Sequence, residues 1–354
     1  MADSLSDIRR KIDALDTRLV QLLSARARLA QQAWQAKGGA AAYKAEREAQ
    51  VLRRVRGLNQ GPLSGAALSR LFTEIMSACR ALEDQLAVAY LGPAGTFSQE
   101  AVVKHFGSAT RAQPHASIDE VFRAVETGTA GYGVVPVENS TEGAVGRTLD
   151  LLLSTSARIC GEVMLPVRQC LMSTARRRDD IRTVYSHTQS LAQCQQWLSR
   201  HLPQAERVAV VSNAEAARLA SKDRHSAAVA GRTAAALYGL KLLARNIEDD
   251  PRNTTRFAVI GTEAVAPSGR DKTSLVLSTR NVPGAVHDLL TPLARHGVSM
   301  TRLESRPART GLWEYVFYVD IEGHQAEPRV TKALTALARK ASFLKVLGSY
   351  PAAH

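Results

Sequence analysis

Cysteine is scarce. Cys79, Cys160, Cys170 and Cys194 are the only four in 354 residues, and none forms a C-x-x-C pair. That is too few for a disulfide framework or a zinc ribbon, so buried thiols are expected. Aromatic residues make up only 5% of the chain, few for stacking on nucleic-acid bases. No apolar run approaches the ~18 residues of a membrane span. The opening stretch, Met1-Ala2-Asp3-Ser4-Leu5-Ser6-Asp7, is acidic and lacks the basic-then-apolar order of a signal peptide, so a cytoplasmic location is expected.

Apolar residues, at 45%, and charged residues, at 22%, suit a folded globular chain. Its length exceeds what one core usually serves, and two or three domains are expected. The formal charge of +13 raises the question of nucleic acid. Its distribution argues against that partner: 14 basic against 9 acidic residues in 1–85, 21 against 17 in 86–270, and 11 against 7 in 271–354. There is no basic tail, and the densest run, Arg176-Arg177-Arg178, is followed by Asp179-Asp180. Small anionic ligands in several sites are the competing explanation.

Periodicity divides the chain into three. Ile8, Ile12, Leu15, Leu19, Leu22, Leu29 and Ala33 recur at spacings of three and four and predict one helix over 5–37, ended by Gly38-Gly39. Helices over 43–57 and 66–84 follow, which makes 1–85 all helical. From Leu86, short β-rich runs (87–91, 133–137, 183–185, 207–211, 227–230, 257–260) alternate with helical stretches. That order predicts an α/β unit over 86–265 with a largely parallel sheet. After a Pro- and Gly-bearing linker, 271–350 reads as βαββαβ, a ferredoxin-like α+β unit.

Charges fall where core residues belong. At ~100° per residue, Arg26 sits inside the apolar stripe of the first helix, and Lys37 returns to within about 20° of it. Two cations on a buried face require an anionic ligand or an internal ion pair with Glu46 or Glu48. Arg9 points about 100° away from Arg26 and ~25 Å along the axis. A dimer with exchanged helices lets Arg9 reach a second copy's site.

Arg9, Arg26, Lys37 and Arg47-Glu48, with Ile8-Arg9-Arg10-Lys11-Ile12-Asp13-Ala14-Leu15-Asp16, resemble the all-helical chorismate mutases. The resemblance implies that Arg9, Arg26, Lys37 and Arg47 hold the carboxylates and ether oxygen of chorismate, that Arg9 comes from the other subunit, and that Glu48 holds the ring hydroxyl. Lys44, Cys79 and Glu83 depart from the family pattern. Glu83 stands where a glutamine often contacts the ether oxygen, and a carboxylate there must be protonated to donate that hydrogen bond.

In the middle unit, Gly92-Pro93-Ala94-Gly95-Thr96-Phe97-Ser98 leads from a strand into a helix start, where free backbone N–H groups attract carboxylates. The turn lacks the lysine of a P-loop and the spacing of a dinucleotide fingerprint. Val137-Glu138-Asn139-Ser140-Thr141, Tyr185-Ser186-His187-Thr188-Gln189 and Asn253-Thr254-Thr255-Arg256-Phe257 are further polar clusters, two of them at strand ends. Each taken alone also reads as a turn or cap. Together, in this order, they closely resemble prephenate dehydratases from about 87 to 262. The resemblance implies two lobes like those of periplasmic binding proteins, with Thr255 essential and Asn139, Ser186 and Gln193 supporting it. It extends the prephenate site to Thr96, Ser98, Ser140, Thr141 and His187, with His187 either a proton source or a packed residue. Arg256 is a candidate carboxylate clamp.

Gly284-Ala285-Val286 and Glu304-Ser305-Arg306-Pro307 resemble the phenylalanine-binding motifs of ACT domains. The alternative is a module used only for dimerisation. The chain is thus expected to be a bifunctional enzyme of phenylalanine biosynthesis, a homodimer or dimer of dimers that needs no cofactor or metal. Chorismate and prephenate would be its substrates and L-phenylalanine its inhibitor, without nucleic-acid or membrane partners. A sensory protein binding an aromatic acid without turnover, and an arogenate dehydratase, are the alternative readings.

Overall fold

The computed structural model describes residues 3–36, 38, 43–280, 282–307 and 315–353. Its first segment is α1 (Leu5–Ala36), α2 (Ala45–Gly57) and α3 (Gly65–Ala81). The Ser64 hydroxyl caps α3 by accepting from the Ala67 N–H. α3 stops three residues earlier than its periodicity suggests, because the N–H groups of Glu83 and Asp84 turn back to the Arg80 carbonyl. Glu83 therefore lies in a turn.

α1 is 32 residues long, about 48 Å at 1.5 Å per residue, and none of them is buried. Leu15 remains 60% exposed and Leu19 54%. Among the described residues, the N-terminal half of the stripe that the sequence marks as core has no cover, and only further along, at Arg26, Ala30 and Trp34, does α1 become half-buried. By contrast, the entry to α2 is anchored: Tyr43 ahead of it and Ala45 at its start pack with Val88, Tyr90, Phe106 and Tyr132.

His105 sits in that anchor, its Nε2 2.8 Å from the Tyr43 hydroxyl. Burial, reinforced by the nearby Arg80 charge, pushes its pKa down from 6.5 to about 4. A lowered folded-state value means that the unfolded chain binds the proton more tightly. Stability from neutral His105 is therefore complete above pH 6.5 and lost as pH falls toward 4, by up to about 3 kcal/mol. His105→Gln should show a shallower fall in urea midpoint between pH 7 and 5 than the parent. Identical falls would show that His105 does not carry this dependence.

The middle segment has two lobes. The first contains β1 (Ala87–Leu91), α4 (Phe97–Phe106), β2 (Arg111–His115), α5 (Ile118–Glu126), β3 (Tyr132–Asn139), β4 (Gly143–Ala144), α6 (Gly146–Ser154) and β5 (Arg158–Pro166). The chain then crosses to β6 (Cys170–Ser173), β7 (Thr183–His187), α7 (Thr188–Gln193), α8 (Gln195–His201) and β8 (Glu206–Val210). The second lobe continues through α9 (Asn213–Ala220), β9 (Ser226–Ala230), α10 (Arg232–Leu237) and β10 (Lys241–Arg245), and β11 (Thr254–Gly261) returns to the first.

The sheets run β2-β1-β3-β11-β5 and β10-β6-β9-β7-β8. They are mixed, not largely parallel: β11 is antiparallel to both β3 and β5, and β6 to both β9 and β10. Crossing the lobe boundary twice reverses the chain, so the returning strand β11 enters its sheet against its neighbours.

The last segment is β12 (Asp271–Ser278), α11 (Ala285–Arg295), β13 (Met300–Pro307), β14 (Tyr315–Glu322), α12 (Pro328–Ala338) and β15 (Phe343–Pro351). Its antiparallel sheet, β13-β14-β12-β15, has the ferredoxin-like order. Leu289, Leu293, Val330 and Leu337 from the helices cover one face. The other face packs Val276, Tyr318, Leu347 and Tyr350 into one core with Val137, Leu149, Leu152 and Ile159. Lys345 donates to the carbonyls of Leu152, Leu153 and Thr155, a cation set at the C-terminal end of α6. The linker before β12 is also fixed: the Ser268 N–H and hydroxyl bond Asp271, and Arg53 donates to the Ser268 carbonyl.

Candidate active sites

Between α1, α2 and α3 lies a cavity of about 410 Å³ lined by Arg26, Lys44, Arg47, Glu48, Cys79, Arg80 and Glu83, among others. Arg26 lies 3.0 Å from the Cys79 sulfur. Arg80, 6% exposed, is a cation that periodicity did not single out. It forms an ion pair with Glu48, donates to the Phe106 carbonyl and lies 5.3 Å above the Tyr43 ring. Burial pushes its guanidinium below the ordinary arginine value. Glu48, expected either to hold a ring hydroxyl or to pair internally with Arg26 or Lys37, shares its carboxylate with Arg80 instead. Lys37 lies outside the described residues. Arg9 is exposed on α1 and does not line the cavity. One chain therefore assembles Arg26, Lys44, Arg47 and Arg80 without Arg9, together with Glu46, Glu48 and Glu83; Arg80 is paired with Glu48 and Lys44 with Glu263.

A larger cleft, about 810 Å³, opens between the two lobes. Asn139 and Thr255 lie on its wall as direct register partners of β3 and β11. Asn139 Nδ2 donates to Thr255 Oγ1 at 2.9 Å and to Asn253 Oδ1 at 2.9 Å. Asn139 Oδ1 accepts from the N–H and hydroxyl of Thr141, which fixes the amide. Because the Thr255 oxygen already accepts a hydrogen bond, its own proton is left to donate. Gln193, on α7 of the second lobe, reaches the Thr141 hydroxyl at 3.5 Å and links the two walls. Thr96, Ser98, His187 and Gln193 all line the cleft.

Four expected residues do not line it. Ser186 is fully buried, and its hydroxyl is bonded to the Val229 carbonyl and Asn213 Oδ1. It orients Asn213, which does line the cleft. Ser140 closes the turn by exchanging hydrogen bonds with Thr254, and Thr141 stands behind Asn139. Arg256 departs most. As the residue after Thr255 on a strand it faces the opposite side of the sheet, where it pairs with Glu162 and Asp320 and donates to the Tyr350 hydroxyl at 3.0 Å. Three polar residues missed by sequence reasoning, Gln169, Ser190 and Asn213, line the cleft in one hydrogen-bonded chain. Asn213 after Ser212 reads simply as a helix start, and nothing local marks it.

In the last segment Gly284 takes the left-handed conformation, φ 79°, that starts α11 at Ala285 and Val286. Glu304, Ser305, Arg306 and Pro307 lie on β13, the edge strand of the sheet. Arg306 faces the middle segment, 3.4 Å from Asp150.

The family model of type II chorismate mutases matches residues 8–84, that of prephenate dehydratases 88–265, and that of ACT domains 273–339. A bifunctional chorismate mutase/prephenate dehydratase from Stutzerimonas stutzeri is 51% identical over 360 residues, 99% of each chain. Among solved structures, a prephenate dehydratase from Arthrobacter aurescens in complex with L-Phe superposes with a TM-score of 0.70 and 33% identity, over 75% of this chain and 90% of that one. GqqA, described as a novel type of quorum-quenching acylase, gives a TM-score of 0.70 and 30% identity over 75% of this chain and 98% of its own. One scaffold thus carries differently described activities, and the side chains must decide between them. Full-length identity across all three matched segments settles the relationship: the chain belongs to the family of bifunctional chorismate mutase/prephenate dehydratases.

Proposed function

We propose that this chain rearranges chorismate to prephenate in its helical unit, 1–85, and converts prephenate to phenylpyruvate, carbon dioxide and water in its two-lobed unit, 86–265. L-Phenylalanine is sensed by 271–350. The observation that carries the reading is the Asn139–Thr255 pair, a hydroxyl held as acceptor by a fixed amide and left free to donate into the cleft.

Prephenate loses its ring carboxylate and ring hydroxyl together. The C–C bond to the carboxylate breaks, its electron pair enters the ring, and the C–O bond breaks as the hydroxyl takes a proton and leaves as water. Aromatisation supplies the driving force. Thr255 is a poor acid in water but a well-placed donor to the leaving oxygen. His187, on the same cleft, supplies the proton. The start of α4 at Thr96 and Ser98 offers backbone N–H groups to a carboxylate.

In the helical unit the chemistry needs no nucleophile. A bound dianion is pressed into its reactive conformer, and cations stand near the breaking C–O bond. Arg26, Lys37, Arg47 and Arg80 of one chain, with Arg9 of a second copy, form that set. The protein works in the cytoplasm as a homodimer or dimer of dimers, α1 being the face that a second copy covers.

Purified protein supplied with prephenate alone is expected to release phenylpyruvate, and saturating phenylalanine to slow it. Binding of prephenate without turnover would favour the sensory reading, and preferential use of arogenate the other dehydratase reading.

A further inference from the structure

The residues that flank the proposed dehydratase pair are held by the C-terminal sheet. Glu138 and Arg256 are register partners on β3 and β11, one rung from Asn139 and Thr255. Successive strand residues point to opposite faces, so as the 139/255 rung meets the cleft, the 138/256 rung meets the C-terminal sheet. There Arg302 Nε lies 2.7 Å from Glu138 Oε2, and Arg256 Nη1 pairs with Asp320. Arg302 and Asp320 are themselves register partners, on β13 and β14. The four side chains make a quartet of alternating sign, two neighbours from each sheet.

Three members of the quartet are largely enclosed, while the Glu138 side chain stays 37% exposed. Asp320 is 4% exposed, its other oxygen accepts from the Ser274 hydroxyl, and Ser274 in turn lies 2.6 Å from the Tyr350 hydroxyl that receives Arg256. Glu162, 6% exposed, takes Arg256 Nε at 2.9 Å and Lys272 at 2.7 Å. The buried Arg256 pairs with Asp320 and Glu162 hold one geometry, since separating them leaves an uncompensated ion, and Arg302 adds a partly exposed pair with Glu138 beside them. Arg302 directly precedes Leu303-Glu304-Ser305-Arg306-Pro307, the stretch that carries the expected phenylalanine motif.

We infer that Glu138 and Arg256 are positioning residues of the dehydratase: through the Glu138–Arg302 and Arg256–Asp320 pairs, the sensing sheet sets the rung that aims Asn139 and Thr255. The inference rests on the assignment of the dehydratase site to that pair. It gives Arg256 a role different from a clamp. A clamp holds substrate in ground and transition state alike and acts on KM, whereas a positioning residue acts on kcat. It also routes a displacement of β13 to the Thr255 hydroxyl through two ion pairs.

The test uses the full-length protein and substitutions on the sensing side, Asp320→Asn and Arg302→Gln, with Arg256→Lys as the conservative variant. Each of the first two is expected to lower dehydratase kcat about ten-fold, since a misplacement of an ångström costs on the order of a hundred-fold. KM for prephenate should stay within about two-fold, and the half-inhibiting phenylalanine concentration should rise about five-fold or more, the lower end of typical coupling between sites. Arg256→Lys should retain a larger share of kcat than Arg256→Gln. Mutase turnover by the same preparations should equal the parent's and serves as the check on folding. A rise in KM alone, an unchanged kcat with an unchanged phenylalanine response, or parallel loss of both activities would overturn the inference. Failure of the site assignment is recognised separately: Thr255→Ala would then keep its dehydratase activity.

Discussion

Replacing Thr255 by alanine is expected to cut phenylpyruvate formation by at least about a hundred-fold, the usual cost of removing a donor aimed at developing charge. Mutase turnover should stay at the parent's level. The substitution suits the question because it disturbs little else. Asn139 Nδ2 keeps its bond to Asn253, and Asn139 Oδ1 keeps Thr141, so the amide stays fixed and no buried group loses its sole partner. Thr255→Ser, which retains the hydroxyl, should recover most of the lost rate. The effect should appear in kcat, because the hydrogen bond strengthens as the ring hydroxyl leaves. Equal loss of both activities would indicate a folding defect, and full retention of dehydratase activity would remove Thr255 from the mechanism.

Arg26→Ala and Arg9→Ala should each lower mutase turnover about a hundred-fold or more, and a mixture of the two variants should regain activity. Arg26 lines the α1–α2–α3 cavity, whereas Arg9 is exposed on the same helix, ~25 Å further along it. No single chain brings them together. If α1 is covered by a second copy, a mixed dimer has one site with both substitutions and one with neither. After unfolding and refolding together, equal amounts should then recover roughly a quarter of the parent's sites. No recovery on mixing, with each variant inactive alone, would mean that both arginines serve one chain's own cavity. Full activity of Arg9→Ala would mean that this arginine serves none.

The helices were legible because their signals are local. Alternating three and four spacings located α1, and the direction of Arg9, about 100° and ~25 Å away from Arg26, already suggested a second copy. The same holds for the polar clusters at strand ends, which arrive at the cleft as Thr96, Asn139, His187 and Thr255. What was not legible depends on pairing between distant residues. The antiparallel return of β11 follows from two crossings of the lobe boundary that no local pattern records. β2, Arg111-Ala112-Gln113-Pro114-His115, is an edge strand with no apolar alternation and with a proline tolerated at the margin of a sheet. Arg256 was misplaced by strand geometry itself, since one step along β11 reverses the face. Ser186 was placed in the cleft by the family resemblance, yet it lies within β7 and its hydroxyl turns inward to Val229. The excess charge is explained only in small part, by Arg26 and Arg47 around one cavity; Arg80, Arg256 and Arg302 are balanced by Glu48, Asp320 and Glu138 and add nothing to it.

Two consecutive reactions carried out by one chain and governed by its last unit can be followed in one experiment: the purified protein is given chorismate alone, and chorismate, prephenate and phenylpyruvate are followed together, with and without phenylalanine. Chorismate should disappear, prephenate should appear first and phenylpyruvate accumulate after it, and phenylalanine should hold back the second step. Disappearance of chorismate without phenylpyruvate, or no turnover of added prephenate, would contradict that two-step course.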